Sequence, residues 1–336
     1  MIRVAIDAMG GDGAPLAEID GALAALDAWP GEFTVQLIGK TEILAPALAE
    51  RGVLARPEIS VVAADEVIGM HEKPLMAIRR KPGSSLVQGL VRVRDGEADV
   101  LLSAGNTGAM LAGATVLLGL HDGVQRATVA ALLPTADEPV LVVDSGATVD
   151  CSAKELVGFA YLGAVYMRDM HGRATPSIGL LNVGEEDEKG NAAVREAFAL
   201  LKALPDLHFI GNIEGRDIVA GHPVHGRVDV VVCDGFTGNV ALKLYESMKA
   251  VLVQLLQKSA PQLLTSGDLV PVFKVLDYSQ YGGAPLLGVK GNCIICHGSS
   301  NANAIKNGIR VGLQTVRSGL SEHIAAMLAH RAGDAA

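Results

Sequence analysis

Two polar side chains whose types suit work on an anion and on a carbonyl group, Lys189 and Asn239, stand just after short apolar runs. Lys189 closes an acidic stretch at 185–188, near the start of a predicted helix, where helix N–H groups and an ammonium together favour an anion such as phosphate. Asn239 lies near the start of another predicted helix and offers its amide to a carbonyl oxygen. The competing interpretations are a solvated acidic loop around Lys189 and a helix cap at Asn239.

Both residues belong to a recurring pattern in which an apolar run breaks into a glycine-rich polar turn. Continuous apolar runs this short predict strands that are buried on both faces, so the turns follow strand ends. In an open parallel sheet, ligands bind at the carboxyl ends of the strands, and glycine lets backbone N–H groups approach an anion. We therefore expect the turns to share one crevice for a ligand with several oxygens. The turns are residues 7–12, 103–108, 182–184, 211–216 and 234–239.

The elements that position these turns are strands alternating with helices, which predicts a doubly wound, mostly parallel sheet. We expect a single catalytic domain over residues 1–336, with an irregular insertion at about 259–281. Thr41 and Ser152 are predicted helix caps. The predicted helices are 14–28, 41–51, 84–95, 107–119, 153–170, 190–203, 238–259 and 301–331.

Composition and charge exclude some classes of protein function. The chain has 336 residues, of which 49% are hydrophobic, and a formal net charge of −9. An acidic chain is not expected to coat nucleic acid, because phosphate neutralisation needs a basic face. The N-terminus lacks the pattern of a secretory signal and no apolar stretch is long enough to span a bilayer, so we expect a cytoplasmic protein, with peripheral membrane contact kept open.

Several cofactor motifs are absent or deceptive. The sequence has no phosphate-binding P-loop, no dinucleotide fingerprint and no nucleophile elbow, so no cofactor is predicted. Cys293 and Cys296 precede His297 in a C-x-x-C-H pattern that matches covalent haem attachment. The isoleucines between them indicate a buried strand, and no second cysteine pair completes a zinc site. We therefore expect buried reduced thiols and no metal.

Six motifs together resemble the bacterial phosphate acyltransferases, which make acyl phosphate from acyl-acyl carrier protein and inorganic phosphate. The resemblance runs in order from Met1 to about Arg317. The motifs are residues 7–12, 103–109, 180–191, 234–240, 281–284 and 297–300.

The resemblance implies a three-layer α/β/α Rossmann-like fold related to the isopropylmalate dehydrogenases and phosphotransacetylases. It also implies that the protein is a homodimer and that its product, acyl phosphate, is used in phospholipid synthesis. A glycerol-3-phosphate acyltransferase would be the downstream acceptor of that product. Lys189 and Asn239 match the positions that the family uses at the reacting centre, with roles that could be exchanged. The residues expected to bind substrate are Gly10, Gly11, Asp12, Asn106, Thr107, Asn182, Gly184, Thr237, Gly238, His297, Ser299 and Ser300.

The sequence departs from the family pattern at three places. Gly13 stands where the family usually has histidine, so no role is given to residue 13. The run at 144–150 contains Ser145 and Thr148 in place of the usual valine and asparagine, and Asn301 replaces an aspartate. None of these changes removes Lys189 or Asn239.

Two surface features suggest partners. Arg79, Arg80 and Lys81 form the densest cationic cluster, which is either a solvated surface run or the dock for the acidic carrier protein. An apolar stripe between Met248 and Leu256 is typical of core or of a dimer interface, with docking to a membrane as a minor alternative. Two other functions stay open: a nicotinamide-dependent decarboxylating dehydrogenase of the same fold, and a c-type haem protein.

Overall fold

Strands and helices alternate along the chain, as the sequence predicts. The computed structural model describes residues 1–135, 137–222, 224–265, 267, 269–277 and 280–334. The strands in these ranges are β1 (Ile2–Asp7), β2 (Phe33–Gly39), β3 (Ile59–Ala63), β4 (Val100–Ser103), β5 (Thr128–Val129), β6 (Ala131–Leu133), β7 (Val140–Val143), β8 (Ile178–Leu181), β9 (Phe209–Ile213), β10 (Val230–Val232), β11 (Ala284–Leu287) and β12 (Cys293–Ile295).

The helices begin and end close to the predicted positions in most cases. They are α1 (Leu16–Ala28), α2 (Thr41–Glu50), α3 (Pro74–Arg80), α4 (Ser85–Arg94), α5 (Thr107–Leu117), α6 (Ala153–His171), α7 (Ala192–Lys202), α8 (Asp217–Ala220), α9 (Gly235–Ser259), α10 (Gln262–Thr265), α11 (Val270–Val275), α12 (Ala302–Arg317) and α13 (Leu320–Asp334).

By its internal contacts the chain separates into two compact units. The first contains residues 1–127 together with the segment from Tyr281 onward, and the second contains Thr128–Gln280. The sequence predicts one sheet, whereas the structure has a separate mostly parallel sheet in each unit. That the two units act as a single catalytic domain stays a prediction.

The sheet of the first unit runs in the order β3, β2, β1, β4, β12, β11. All neighbours are parallel except β11 and β12. Val100 and Leu102 of β4 pack with α1 and α12, while Leu101 contacts α4 at Gly89. Because successive side chains of a strand point to opposite faces, helices cover both faces of this sheet.

The sheet of the second unit runs in the order β6, β7, β10, β8, β9, with only β6 antiparallel. Val230 of β10 contacts α6 at Gly163. Val231 belongs to the opposite core cluster, against which Leu242 and Tyr245 of α9 pack. Each unit therefore has the three-layer α/β/α arrangement that the sequence predicts.

Differences from the predicted elements have local causes. The predicted helix over 301–331 is two helices, because Gly319 takes a left-handed backbone with φ 64° and ends α12. Ser152 caps α6 through a capping box with Glu155, as predicted, but Thr41 is not a cap, since the N-cap of α2 is Lys40 and makes no side-chain hydrogen bond. The predicted insertion at 259–281 holds α10 and α11; residues 266, 268, 278 and 279 lie outside the described residues.

Candidate active site

In the first unit, two of the predicted turns, 7–12 and 103–108, and the motif at 297–300 lie side by side. Strands β1, β4 and β12 are parallel neighbours, with Asp7 and Ile295 both in register with Ser103. The turns that follow them therefore emerge at one edge of the sheet. This edge carries the predicted substrate-binding residues Gly10, Gly11, Asp12, Asn106, Thr107, His297, Ser299 and Ser300.

A buried carboxyl group joins the first two turns. The Ser103 hydroxyl donates to Asp7 Oδ2 at 2.7 Å, and the N–H of Gly105 donates to the Ser103 hydroxyl at 3.0 Å. A Cβ at Gly10 would lie 2.6 Å from Asp7 Oδ2 and 2.8 Å from the Gly105 nitrogen, so only glycine fits there. Burial raises the pKa of Asp7, although hydrogen bonds from Ser85 and Ser103 oppose that shift.

The predicted binding residue Asn106 is buried and its amide holds the protein's own backbone. Its oxygen caps α5 by accepting from the Ala109 N–H, and its nitrogen donates to the carbonyl groups of Gly69, Met70 and Glu72. These bonds fix the loop at 69–72 beside the turn. The adjacent Thr107 is exposed at the first position of α5. Direct contact of either residue with substrate stays a prediction.

The motif at 297–300 is tied to the first turn. The N–H of Asp12 donates to the Gly298 carbonyl at 2.8 Å, and the Asp12 side chain is exposed. His297 and Ser299 are exposed as well, whereas Ser300 is buried. The Ser299 N–H donates to His297 Nδ1, which leaves the imidazole proton on Nε2 in the neutral ring. The geometry presents an imidazole and a hydroxyl at the sheet edge.

Glu18 is a buried residue that the sequence reasoning did not select. Its side chain is 1% exposed, and neither carboxyl oxygen has a hydrogen-bond partner among the described residues. A Cβ at Gly11 would lie 2.6 Å from Glu18 Oε1, so the carboxyl lies directly against the first turn. Burial, with a smaller contribution from the Asp7 carboxyl, raises its pKa to about 7, although the backbone N–H of Glu18 itself opposes the shift. Nothing in the local sequence of α1 indicates that the glutamate at position 18 is buried.

In the second unit, the carboxyl ends of β7, β10, β8 and β9 also meet at one edge, because these strands are parallel neighbours. Lys189 follows β8 and Asn239 follows β10, so adjacent strands deliver the two predicted catalytic residues. The five glycine-rich turns of the sequence are thus divided between two sheets. A single crevice formed by all of them stays a prediction.

Hydrogen bonds hold the backbone at Lys189 and Gly190, while the acidic side chains at 185–188 are exposed, as in a solvated acidic loop. Asn182 donates to the Lys189 carbonyl at 3.1 Å, and Arg195 of α7 donates to the Gly190 carbonyl at 2.5 Å. Gly190 has φ 90°, and a Cβ there would lie 2.7 Å from Asn182 Oδ1. A Cβ at Gly184 would lie 3.4 Å from Lys189 Cγ, so this glycine packs near the lysine stem.

The ammonium of Lys189 is left available to an anion. Its side chain is 45% exposed, and its ion pair with Glu186 is long, at 3.8 Å between Nζ and Oε2. Exposed pairs of this kind contribute between about 0 and 1 kcal/mol. A phosphate dianion carries more charge than one carboxylate and can displace such a contact.

Asn239 is exposed and lies inside α9, so the interpretation of this residue as a helix cap is wrong. The cap is Asp234, whose carboxylate accepts from the Thr237 N–H and hydroxyl, both at 2.8 Å. The Asn239 amide therefore does not cap α9. It lies beside the turn after β7, since a Cβ at Gly146 would be 3.7 Å from Asn239 Oδ1.

Buried Asp144 fixes that turn, and sequence reasoning did not single it out. One carboxyl oxygen accepts from Thr128 Oγ1 and the Val129 N–H, and the other accepts from the N–H groups of Ala147 and Thr148. Burial raises its pKa despite these four donors. A Cβ at Gly238 would overlap the Asp144 carbonyl, so this glycine brings the first turn of α9 into contact with the turn after β7.

The basic cluster divides into two parts. The Lys81 ammonium donates to Glu72 Oε1 at 2.5 Å and to the Val67 carbonyl at 2.7 Å, so it fixes the loop at 67–72. Arg79 and Arg80 are exposed at the end of α3, and Lys73 is exposed at its start. The arginines are the members of the cluster that a partner could contact.

The apolar stripe on α9 is not core of this chain, because Met248, Val251 and Leu255 are 50–57% exposed. Leu252 and Leu256 are half-buried. The exposed ridge is longer than predicted and begins at Phe236, continuing through Val240 and Leu244. Across the ranges that the structure describes, no helix is both long and apolar enough to cross a bilayer.

Cys293 and Cys296 are buried at β12 and its end, 1% and 2% exposed, as the sequence predicts. Burial raises the pKa of both thiols to about 12. Thiols inside a sheet cannot reach a porphyrin, so the c-type haem alternative is wrong.

A dehydrogenase of this fold would need a cluster of aspartates for its metal. Within the described ranges, the one group spaced for a metal ion is Glu185, Asp217 and His222, which has a single aspartate. His222 Nδ1 accepts from the N–H groups of Val224 and His225, so the proton of the neutral ring is on Nε2. That nitrogen lies 3.9 Å from Glu185 and is suited to donate to the carboxylate rather than to ligate a metal.

Solved structures of other proteins share the fold of this chain. A phosphotransacetylase from Streptococcus pyogenes has a TM-score of 0.61 at 15% identity, covering 94% of each chain. A branched-chain phosphotransacylase from Enterococcus faecalis has the same score and identity, covering 94% of this chain and all of that one. These similarities confirm the predicted fold.

Curated relatives have a much higher sequence identity to this chain than these solved structures have. A phosphate acyltransferase from Heliobacterium modesticaldum is 42% identical, covering 96% of this chain and 98% of its own. One from Acidobacterium capsulatum is 45% identical, with 96% of each chain covered. Residues 2–323 match the family described as "Fatty acid synthesis protein". With such identity along nearly its whole length, the chain belongs to the phosphate acyltransferase family and is an acyltransferase.

Proposed function

We propose that the protein transfers a fatty acyl group from acyl-acyl carrier protein to inorganic phosphate, giving acyl phosphate for phospholipid synthesis. The names of its relatives support phosphate as the acceptor, and the family description supports a fatty acyl group. The observation that supports the proposal is that the loop carrying Lys189 follows β8, while the first turns of α9, which carry Asn239, follow the neighbouring parallel strand β10.

The chemistry needs little beyond positioning. A thioester is already electrophilic, and inorganic phosphate is partly a dianion at neutral pH, so a nucleophilic oxygen is available without a strong base. The phosphate oxygen attacks the thioester carbonyl carbon, the carbonyl becomes an oxyanion, and the thiolate of the carrier leaves as the C–S bond breaks. The protein must hold two anionic species together and stabilise the oxyanion.

Lys189 binds the phosphate or the charge that develops on it. A compact ammonium on an exposed stem suits a phosphate. Two of the four neighbouring acidic side chains lie near other cations, Asp187 near Lys202 and Glu185 near Arg216. Asn239 donates its amide N–H to the carbonyl oxygen as the negative charge forms there.

Arg79 and Arg80 form the dock for the acidic carrier protein. Their guanidinium groups have no ion-pair partner among the described residues, in contrast to Lys81. Met70, Leu75 and Met76 are 42–45% exposed in the same segment, so apolar contact accompanies the charge. A basic and apolar surface is complementary to an acidic helix with an apolar stripe.

The exposed ridge of α9 packs against a second copy of the chain in a homodimer. An uncovered apolar face of this length on a water-soluble helix marks an interaction surface. Contact with the cytoplasmic face of a membrane, close to a glycerol-3-phosphate acyltransferase that accepts the product, is the alternative that the test must separate.

The direct test is synthesis of acyl phosphate. Purified protein is incubated with acyl-acyl carrier protein and ³²P-labelled phosphate, and an acid-labile, acyl-linked product is measured. Lys189→Ala should abolish most of the product at low phosphate. Lys243→Ala, which removes an exposed lysine paired within α9, is the matched control and should retain wild-type rates. Absence of product with wild-type protein would refute the proposed reaction.

A further inference from the structure

Asn212 connects a buried part of β9 to the backbone of Lys189. Its side chain is 2% exposed, and its amide nitrogen donates to the Glu186 carbonyl at 2.9 Å. The Lys189 N–H donates to the same carbonyl at 3.1 Å. One carbonyl oxygen therefore links the buried amide to the residue that carries the ammonium.

A β-bulge directs Asn212 toward this carbonyl. Ile178 pairs with Phe209 and the next residue, Gly179, pairs with Gly211, so Ile210 is an extra residue in β9. Gly211 has φ 101°, a backbone conformation that glycine accommodates. A one-residue shift moves the following side chains to the other face of the sheet. The bulge thus sets the face on which Asn212 lies.

The amide is costly as a packing residue. Ile210 and Ile213 on either side of it belong to the apolar core, and the Asn212 oxygen has no partner among the described residues. Burying an unpaired polar atom opposes folding, so an apolar side chain of similar size would serve stability better. What the amide does, and an apolar side chain could not do, is hold the Glu186 carbonyl.

We propose that Asn212 is a positioning residue for Lys189, holding the 184–190 loop so that the ammonium meets the phosphate. This inference rests on the proposed function of Lys189. Asn182, which donates to the Lys189 carbonyl, fixes the other side of the same residue. With both amides in place, the backbone of Lys189 is held on both its N–H and C=O sides.

Trypsin tests the contact without any reference to activity, because native-state cleavage after Lys189 should become faster as the loop opens more often. Asn212→Asp puts a carboxylate against the Glu186 carbonyl and should accelerate native-state cleavage at Lys189 by about tenfold, the effect of one lost hydrogen bond. Cleavage at Lys202 in the same digest should be unchanged. Ile210→Val, a core change on the same strand, is the matched control, and Asn212→Ala serves if the aspartate variant does not fold. Unchanged cleavage at Lys189, or equal acceleration at Lys202, would overturn the proposal.

Kinetics test the consequence. Asn212→Asp should raise the KM for phosphate by about tenfold, with the KM for the acyl donor changed less than about twofold. In a Lys189→Ala background the same change should have an effect below about twofold, because its target is gone. Additive losses would assign Asn212 a merely structural role and overturn the inference. A wild-type rate for folded Lys189→Ala would refute the catalytic role of Lys189 and this consequence with it, while the trypsin result separately decides whether the contact holds the loop.

Discussion

Replacing Glu18 by glutamine should remove a loss of stability that grows with pH. The wild-type carboxyl is buried against Gly11, has no hydrogen-bond partner among the described residues and faces the buried Asp7 carboxyl. Ionising it places an unpaired charge in an apolar site. The substitution Glu18→Gln keeps the size and shape of the side chain and cannot ionise.

The magnitude follows from the pKa of this group. Burial raises it from 4.5 to about 7, and each pH unit of difference corresponds to about 1.4 kcal/mol. Below pH 4.5 both the folded and unfolded states hold the proton, and the term is absent. Between 4.5 and about 7 the folded state binds more protons, so stability falls as pH rises. Above pH 7 the full loss of about 3 kcal/mol is reached.

Urea denaturation at pH 5, 7 and 8.5 measures this term. Trp29 is the one tryptophan of the chain and directly follows the helix that carries Glu18, so its fluorescence reports the unfolding of the relevant unit. The difference in unfolding free energy between Glu18→Gln and wild type should increase by roughly 2 to 3 kcal/mol from pH 5 to pH 8.5. Groups that do not interact with Glu18, such as Asp144, titrate in both proteins and largely cancel in the comparison.

Glu42→Gln is the control, because Glu42 is exposed on α2 in the same unit. Its difference from wild type should vary by only a few tenths of a kcal/mol over the same range, typical of an exposed site. A Glu18→Gln difference that stays constant with pH would show that the carboxyl is solvated or paired in solution, and the reasoning from burial would fail. Glu18→Val, which removes the polar group altogether, should show the same pH dependence.

The remaining predictions concern the site and its surfaces. Asn239→Ala should lower turnover by about 100-fold to 1000-fold, as for a lost oxyanion donor, and its effect should not multiply with that of Lys189→Ala in steady-state assays. Neutralising Arg79 and Arg80 should raise the KM for acyl-acyl carrier protein and reduce its salt dependence, whereas Lys81→Ala should instead loosen the 67–72 loop in hydrogen exchange; an unchanged salt response would contradict the dock. If α9 forms the proposed dimer interface, Leu255→Glu should give a monomer in sedimentation while circular dichroism stays native, with Gln254→Glu as the control; release from vesicles without a change of oligomeric state would favour the membrane. Cys293→Ser with Cys296→Ala should lower stability but leave acyl phosphate formation largely intact, and bound metal lost together with activity would contradict the assignment of buried thiols.

The sequence by itself determined the local elements and the family. Apolar runs at strand spacing and alanine-rich helical stretches are local patterns, so β1, β4, β8 and β10 and most helices could be located from neighbouring residues alone. The capping box at Ser152 was predictable for the same reason. The motifs around Lys189 and Asn239 indicate the family without any tertiary structure, because their order and spacing can be read directly from the sequence.

Only the tertiary structure decided how these elements combine. One sheet or two is a question of which strands pair, and pairing joins residues more than 90 positions apart, such as Val4 with Val100. The same holds for single side chains. The Lys81 ammonium is not free to bind a partner together with Arg79 and Arg80, because it donates to the Val67 carbonyl and to Glu72 in the loop at 67–72. Asn212 donates to the Lys189 loop because a bulge in β9 sets its face of the sheet, and the Glu18 carboxyl is buried against Gly11. Burial, pairing and charge depend on residues that are distant in the chain, and no local pattern records them.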